Sequence, residues 1–199
     1  MIAIVDYGAG NLFSVKNALD YLMLPSVITK EVSEIRSADK LILPGVGAFP
    51  DAMEMLDRSG LRDVLLEEAE KKPFLGICLG MQMLFDRSFE FGETKGLGLL
   101  PGDVVPIEAP GQKIPHMGWS PLYLKNRCEI AGDTESGDMV YFVHSYKVVT
   151  EDPLISMYTE YGGEIPAIVF RDKIYGTQFH PEKSGSVGLA MLKRFGGMK

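Results

Sequence analysis

One stretch, from Phe74 to Phe85, constrains the fold more than any other part of the chain. It has the pattern of a buried strand, a tight turn and a helix, and Cys78 lies at the turn with a glycine two residues away on each side. A G-x-C-x-G turn is the cysteine form of the nucleophile elbow, a sharp bend that raises one side chain into a pocket. The glycines are needed because the bend brings backbone close to backbone. The alternative interpretation is a small buried core cysteine.

Strands and helices alternate around this stretch. Residues 2–5 and 40–43 are continuous apolar runs, whereas residues 12–22 and 49–69 carry apolar side chains at helical spacing. This order predicts an α/β fold with a mostly parallel central sheet flanked by helices. In the C-terminal half, prolines and short β patterns predict antiparallel or mixed strands added to the same sheet. No linker separates two units, so we expect one domain over residues 1–199.

Charge and composition exclude several classes of protein. The net charge is −7 and no basic run occurs, which argues against a nucleic-acid partner. No apolar stretch approaches the roughly 18 residues that a membrane span needs, and the apolar N-terminal run is too short for a signal peptide. The chain has 2 cysteines in very different contexts, so a disulfide framework is not indicated. We therefore expect a cytoplasmic protein without a membrane segment.

His180 and Glu182 supply the groups that a nucleophilic cysteine requires. They follow the apolar run 174–179, and residues two apart in an extended chain point to the same side. A carboxylate in that position holds the imidazole in the tautomer that accepts a proton from sulfur. Strand ends of a doubly wound sheet form ligand crevices, so His180 and Cys78 are expected to meet. A surface histidine and glutamate in an ordinary turn are the alternative.

Two more stretches can complete a site for acyl transfer. The glycine-containing segment P-G-V-G at 44–47 follows a buried strand and offers backbone N–H groups, and the Leu79 N–H is the usual second donor to an oxyanion. Gln82 lies one helical turn after Cys78, where it can contact a polar substrate. A strand-ending turn and an exposed glutamine are the corresponding alternatives.

Metal-binding patterns are absent from the sequence. There is no C-x-x-C and no H-E-x-x-H, and the 3 histidines are far apart along the chain. We therefore expect neither a metal nor a cofactor, and Cys128, in a polar stretch, receives no role.

Three motifs together resemble the class I, triad-type glutamine amidotransferases: P-G-V-G at 44–47, G-I-C-L-G-M-Q at 76–82 and Q-F-H-P-E-K-S at 178–184. The resemblance implies a flavodoxin-like mixed sheet and an enzyme that releases ammonia from glutamine. It makes Cys78 the nucleophile, His180 the general base and then acid, and Glu182 the orienting carboxylate.

Further stretches narrow the resemblance to one branch of that family. The segments 6–11, 115–119 and 141–146 resemble the glutaminase subunits of imidazole glycerol phosphate synthases, which act in histidine biosynthesis. This implies hydrolysis of L-glutamine through a cysteine thioester. It also implies a heterodimer with a (β/α)8-barrel cyclase subunit that receives the ammonia through an internal channel.

The same resemblance assigns the remaining site residues. The oxyanion and substrate-binding positions would be Gly45, Val46, Gly47, Leu79, Gln82, His144, Ser145 and Tyr146. The positions facing the partner would be Asn11, Trp119, Tyr141 and Lys183. Three other functions stay open at this point: a glutaminase for a different synthase, a free-standing cysteine hydrolase on the same scaffold, and an interaction module without activity.

Overall fold

The first half of the chain alternates strands and helices, as the sequence predicts. In the computed structural model, which describes residues 1–198, the elements are β1 (Ile2–Val5), α1 (Leu12–Tyr21), β2 (Ser26–Thr29), α2 (Val32–Ser37), β3 (Lys40–Gly45), α3 (Phe49–Ser59), α4 (Arg62–Ala69), β4 (Phe74–Cys78) and α5 (Leu79–Met83).

The second half consists mainly of strands and ends in a helix. Its elements are β5 (Phe85–Ser88), β6 (Thr94–Lys95), β7 (Leu100–Pro106), β8 (His116–Pro121), β9 (Tyr123–Leu124), β10 (Met139–His144), β11 (Tyr146–Val149), β12 (Ile155–Glu160), β13 (Glu164–Arg171), β14 (Ile174–Thr177) and α6 (Gly185–Gly197). Short 3-10 turns occupy Asp152–Leu154 and Pro181–Lys183.

The main sheet has the strand order β2-β1-β3-β4-β14-β13-β12-β9. The strands from β2 to β14 are parallel, whereas β13, β12 and β9 extend the sheet with antiparallel pairs. This arrangement confirms the predicted mostly parallel sheet with antiparallel additions. Strands β1, β3 and β4 are buried on both faces, which explains why their sequences are continuous apolar runs.

Helices cover both faces of the sheet and enclose two cores. Ala3 and Val5 of β1 face the core formed with α3 and α4, whereas Ile2 and Ile4 face the core formed with α1 and α6. This division follows from the alternation of side chains along a strand. Gly45 pairs with Cys78, so the carboxyl ends of β3 and β4 lie side by side between the two helical layers.

Two small sheets depart from the prediction that the later strands join the main sheet. Strands β8 and β10 form an antiparallel pair, and β11, β7, β5 and β6 form a second layer. The last strand also ends at Thr177 rather than at Phe179, because the backbone turns there and the His180 N–H donates to the Tyr141 carbonyl on β10. Strand β10 is thereby drawn against the end of the main sheet.

Residues 1–198 lack two features that would indicate other classes of protein. No helix in this part of the chain is both long and apolar enough to cross a membrane. In the same residues, no group of 3 or more histidine, cysteine, aspartate or glutamate side chains is arranged to hold a metal ion.

Candidate active site

Cys78 stands on a strained turn between β4 and α5. Its backbone angles are φ 56° and ψ −113°, an uncommon conformation for a residue with a side chain. A Cβ at Gly80 would lie 1.9 Å from the Leu43 carbonyl oxygen, and one at Gly76 would lie 2.6 Å from the Gly80 oxygen. Both flanking glycines are therefore required by close backbone contact, and the turn has the geometry expected of a nucleophile elbow.

The close contact at Gly80 gives a stability prediction. We expect Gly80→Ala to lower the free energy of unfolding by about 3 kcal/mol, because the new methyl group meets backbone that cannot move aside. Urea unfolding followed by circular dichroism measures the change. Gly197→Ala is the matched control, since its Cβ would meet no atom within 4 Å. An equal, small effect of both substitutions would contradict the account of the elbow.

His180 and Glu182 form a buried pair. The two side chains are 4% and 1% exposed, and the His180 Nδ1 lies 2.8 Å from the Glu182 Oε1. The carboxylate can only accept, so Nδ1 carries a proton and Nε2 is left for the Cys78 sulfur. The other carboxylate oxygen, Oε2, is buried and has no hydrogen-bond partner within residues 1–198. The carboxylate is thus committed to orienting His180.

The charge state of His180 depends on its two neighbours. Burial alone would lower the pKa of its imidazole, but hydrogen bonds and charge interactions with Cys78 and Glu182 raise that pKa to about 9. The imidazole therefore holds its proton at neutral pH. A protonated imidazole at the edge of the cavity can donate that proton to the leaving group of a reaction at Cys78.

Ser184 and Tyr141 fix the backbone that carries His180. The Ser184 hydroxyl donates to the His180 carbonyl at 2.6 Å and accepts from the Tyr141 N–H at 3.0 Å. The His180 N–H in turn donates to the Tyr141 carbonyl at 3.1 Å. Both backbone polar groups of Tyr141 are thus tied to the segment that holds the imidazole.

A cavity of about 340 Å³ opens above Cys78 and His180. It brings together most of the residues singled out in the sequence, and its lining also includes Glu90, Pro115 and Val143. The predicted residues in its wall are Val46, Gly47, Cys78, Leu79, Gln82, His144, Ser145, Tyr146 and His180. Gly45 lies behind the wall against the elbow, and Glu182 lies behind His180.

Gln82 is part of the cavity wall and not an exposed helix residue. It is 4% exposed, and its Nε2 donates to the Gln178 Oε1 at 2.9 Å and to the Tyr146 carbonyl at 3.1 Å. Gln178 in turn points its Nε2 at the Cys78 sulfur at 3.9 Å. The Gln82 amide nitrogen is therefore used to hold the far wall of the cavity in place.

Glu90 was not found by sequence reasoning. It lies in the irregular stretch between β5 and β6, where no periodicity marks a buried position. The residue is 9% exposed, and its Oε2 accepts from the Phe49 N–H at 2.8 Å. A buried carboxylate in the cavity wall is a suitable partner for a cationic group of a substrate. The only feature of the sequence that could have indicated a buried glutamate is that phenylalanines flank it on both sides in an otherwise polar loop.

Two of the four residues expected to face a partner are in direct contact, and a third follows close by in the fold. Trp119 is 51% exposed and packs edge-to-face on Tyr141, with ring centroids 6.2 Å apart. The indole also lies beside Gly185, two residues after the exposed Lys183. Asn11 occupies the N-cap position of α1 but makes no capping hydrogen bond with its side chain. The only tryptophan is thus a surface residue and not part of the core.

Comparison with known families identifies the class of protein that this site defines. The family profile "Glutamine amidotransferase class-I" matches residues 3–196. The chain therefore belongs to the class I glutamine amidotransferase family.

Full-length relatives narrow this assignment. A protein from Caldanaerobacter subterraneus subsp. tengcongensis is 50% identical over 200 residues, covering 100% of this chain and 98% of its own. One from Oceanobacillus iheyensis is 49% identical over 197 residues, covering 98% of each. Both are named imidazole glycerol phosphate synthase subunit HisH. These matches confirm the narrower resemblance seen in the sequence.

Solved structures show the same fold. A crystal structure described as a glutamine amidotransferase has a TM-score of 0.77 at 18% identity, covering 99% of each chain. The structure of PurLQS from Thermotoga maritima has a TM-score of 0.73 at 20% identity, covering 98% of this chain and 96% of its own. Both likenesses confirm the predicted class I amidotransferase fold.

Proposed function

We propose that this chain is the glutaminase subunit of an imidazole glycerol phosphate synthase, acting as a single domain in the cytoplasm. The observation that carries the proposal is the cavity in which Cys78 on a nucleophile elbow meets His180, with Glu182 hydrogen-bonded behind it. A nucleophile, a base and an orienting group in this order are the requirements of covalent acyl transfer.

The cavity favours L-glutamine as the substrate. Its size suits a single amino acid better than a peptide, and its wall contains one buried carboxylate, Glu90, to accept the α-ammonium group. The segment from His144 to Tyr146 provides backbone and hydroxyl groups for the α-carboxylate. The side-chain amide would then reach Cys78 at the other end.

The reaction follows from the positions of these groups. His180 holds the proton of the Cys78–His180 pair at neutral pH, and the Cys78 sulfur forms a bond to the amide carbon of glutamine while the carbonyl oxygen takes up the negative charge. The negative oxygen is stabilised by the Leu79 N–H, at the start of α5, and by N–H groups of the 45–47 segment, which follows β3. His180 gives its proton to the nitrogen, so the C–N bond breaks and ammonia leaves. Water then attacks the thioester while His180 accepts a proton, which releases glutamate and restores Cys78.

The partner would be a (β/α)8-barrel cyclase that binds over the surface formed by Asn11, Trp119, Tyr141 and Lys183. Ammonia released beside Cys78 must avoid bulk water, where it would be protonated, so a covered exit is chemically necessary. The backbone ties between Tyr141 and the His180 segment support a coupling of this surface to the active site.

This coupling predicts that the isolated chain is a poor glutaminase. We expect glutamine hydrolysis to rise by about 10²–10³-fold when the barrel partner is added together with the nucleotide that it cyclises, because the partner would realign the 45–47 segment and bring one oxyanion donor into place. Glutamate release, measured with and without the barrel partner, tests this.

The same assay distinguishes the competing functions. Equal turnover by the free chain and the complex would contradict the coupling and favour a free-standing hydrolase. Absence of turnover in both would contradict glutaminase activity altogether. If the synthase subunit of a different pathway stimulated glutamine hydrolysis and this cyclase did not, the assignment to histidine biosynthesis would be contradicted.

A further inference from the structure

Two histidines outside the triad form a buried pair beside the cavity. The His116 Nδ1 and the His144 Nε2 lie 3.0 Å apart, and the residues are 1% and 7% exposed. They face each other across the antiparallel ladder of β8 and β10. His144 is in the cavity wall, whereas His116 is one step removed from it.

The proton order in this pair is determined by its end groups. The His144 Nδ1 lies 2.8 Å from the Tyr146 carbonyl, which can only accept, so that nitrogen carries the proton. The Nε2 of His144 is then an acceptor, and the His116 Nδ1 must donate to it. The His116 Nε2 accepts in turn from the Ser120 hydroxyl at 2.8 Å. Burial lowers the pKa of His116 to about 4 and that of His144 to about 3, so both rings are neutral near pH 7.

The His116 ring is held between two aromatic rings. Phe142 stacks on it with centroids 4.7 Å apart and an angle of 24°, and Tyr161 stacks with centroids 4.1 Å apart and an angle of 20°. The Tyr161 hydroxyl donates to the Lys113 carbonyl, which fixes this ring in turn. A ring confined in this way presents its Nδ1 in one direction only.

The pair continues into the wall of the active site. The Tyr146 carbonyl accepts from both His144 and Gln82, and Gln82 also donates to Gln178 beside the Cys78 sulfur. An unbroken series of contacts therefore runs from Ser120, next to the exposed Trp119, to the nucleophile. The histidine pair therefore links β8, the strand that contains Trp119, with the wall of the cavity.

We propose that His116 is a positioning residue for glutamine binding: it keeps His144 in the tautomer protonated at Nδ1 and thereby fixes the wall formed by residues 143–146. The inference rests on the proposed glutaminase function for its kinetic test. His116 itself touches neither the substrate nor Cys78, so its effect is on the affinity of the cavity and not on the chemical step.

Two substitutions at His116 separate positioning from packing. His116→Asn keeps an N–H donor near the position of Nδ1, whereas His116→Leu fills space without a donor. In the complex with the barrel partner, we expect His116→Leu to raise KM for glutamine about 10-fold with kcat within about threefold, and His116→Asn to stay within about threefold in both. An unchanged KM for His116→Leu, or an asparagine variant no better than the leucine variant, would overturn the proposal.

A second measurement needs neither activity nor a variant. Nitrogen-15 NMR of the imidazoles in the wild-type complex should show His116 and His144 both neutral and protonated at Nδ1 at pH 7. Protonation at Nε2, or averaging between tautomers, would refute the proposed proton order. If the wild-type complex hydrolyses no glutamine, the proposed function fails, whereas the tautomers still decide whether the pair is ordered as described.

Discussion

Replacing Cys78 with alanine is expected to lower glutamine-dependent synthesis by about 10⁴–10⁶-fold in the complex with the cyclase. The reason is that the elbow presents a single sulfur to the cavity, and His180 faces that sulfur. Ser145 and Tyr146 also line the cavity, but within residues 1–198 no histidine is hydrogen-bonded to either hydroxyl group, so neither has a base to activate it. Product formation from glutamine is the measurement.

The second cysteine of the chain provides a matched control for this substitution. Cys128 is the other free cysteine and lies outside the cavity, so Cys128→Ala should leave turnover within about twofold of wild type. Synthesis from added ammonia should be unaffected by Cys78→Ala, because the barrel partner performs that step. Loss of ammonia-dependent synthesis as well would mean that Cys78 serves folding or assembly.

Replacing Glu182 with glutamine is expected to lower kcat by about 10²–10⁴-fold while the fold is retained. The side chain keeps its size, but the buried negative charge that holds the Nδ1–H tautomer of His180 is lost. Stopped assays of glutamate release at saturating glutamine measure the change. Glu151→Gln, at an exposed position, is the matched control and should have no effect.

The same substitution should shift the pH dependence of the reaction. Burial lowers the pKa of His180, whereas its interactions with Cys78 and Glu182 raise it to about 9, so the wild-type rate should fall as pH rises through about 9 and the imidazole loses its proton. With glutamine at position 182 one raising interaction is gone, and the decline should begin at lower pH. A profile of kcat/KM that coincides with wild type would contradict the role of the carboxylate.

The placement of Cys78, His180 and Glu182 near one another could be predicted because each of the two motifs is local in sequence. A glycine on each side of Cys78 specifies a turn that only glycine tolerates at those contacts. The spacing of His180 and Glu182 correctly predicts that the two side chains meet, but a 3-10 turn at Pro181–Lys183, and not extended chain, brings them together, so Glu182 lies behind His180 and does not line the cavity. The meeting of these two segments follows from the adjacency of β4 and β14 in a parallel sheet. Short motifs predict such features well because a few neighbouring residues determine the local backbone geometry.

The rest of the site depends on contacts between distant segments. Glu90 is buried because its carboxylate accepts from the Phe49 N–H, 41 residues away in sequence. His116 and His144 are paired through the register of β8 and β10, a small sheet that the sequence did not separate from the main one. Short alternating strands show which side chains share a face, but they do not show which strand becomes the neighbour.

The central claim, that Cys78 attacks the side-chain amide carbon of glutamine, is tested most directly by covalent labelling. A glutamine analogue with a chloromethyl ketone in place of the side-chain amide, which forms a stable thioether with the attacking sulfur as chloride leaves, is incubated with the complex, and the modified peptides are identified by mass spectrometry. The account predicts one label per chain, on Cys78, with inactivation proportional to labelling and protection by glutamine. Inactivation with the label on Cys128, or without any label on Cys78, would contradict it.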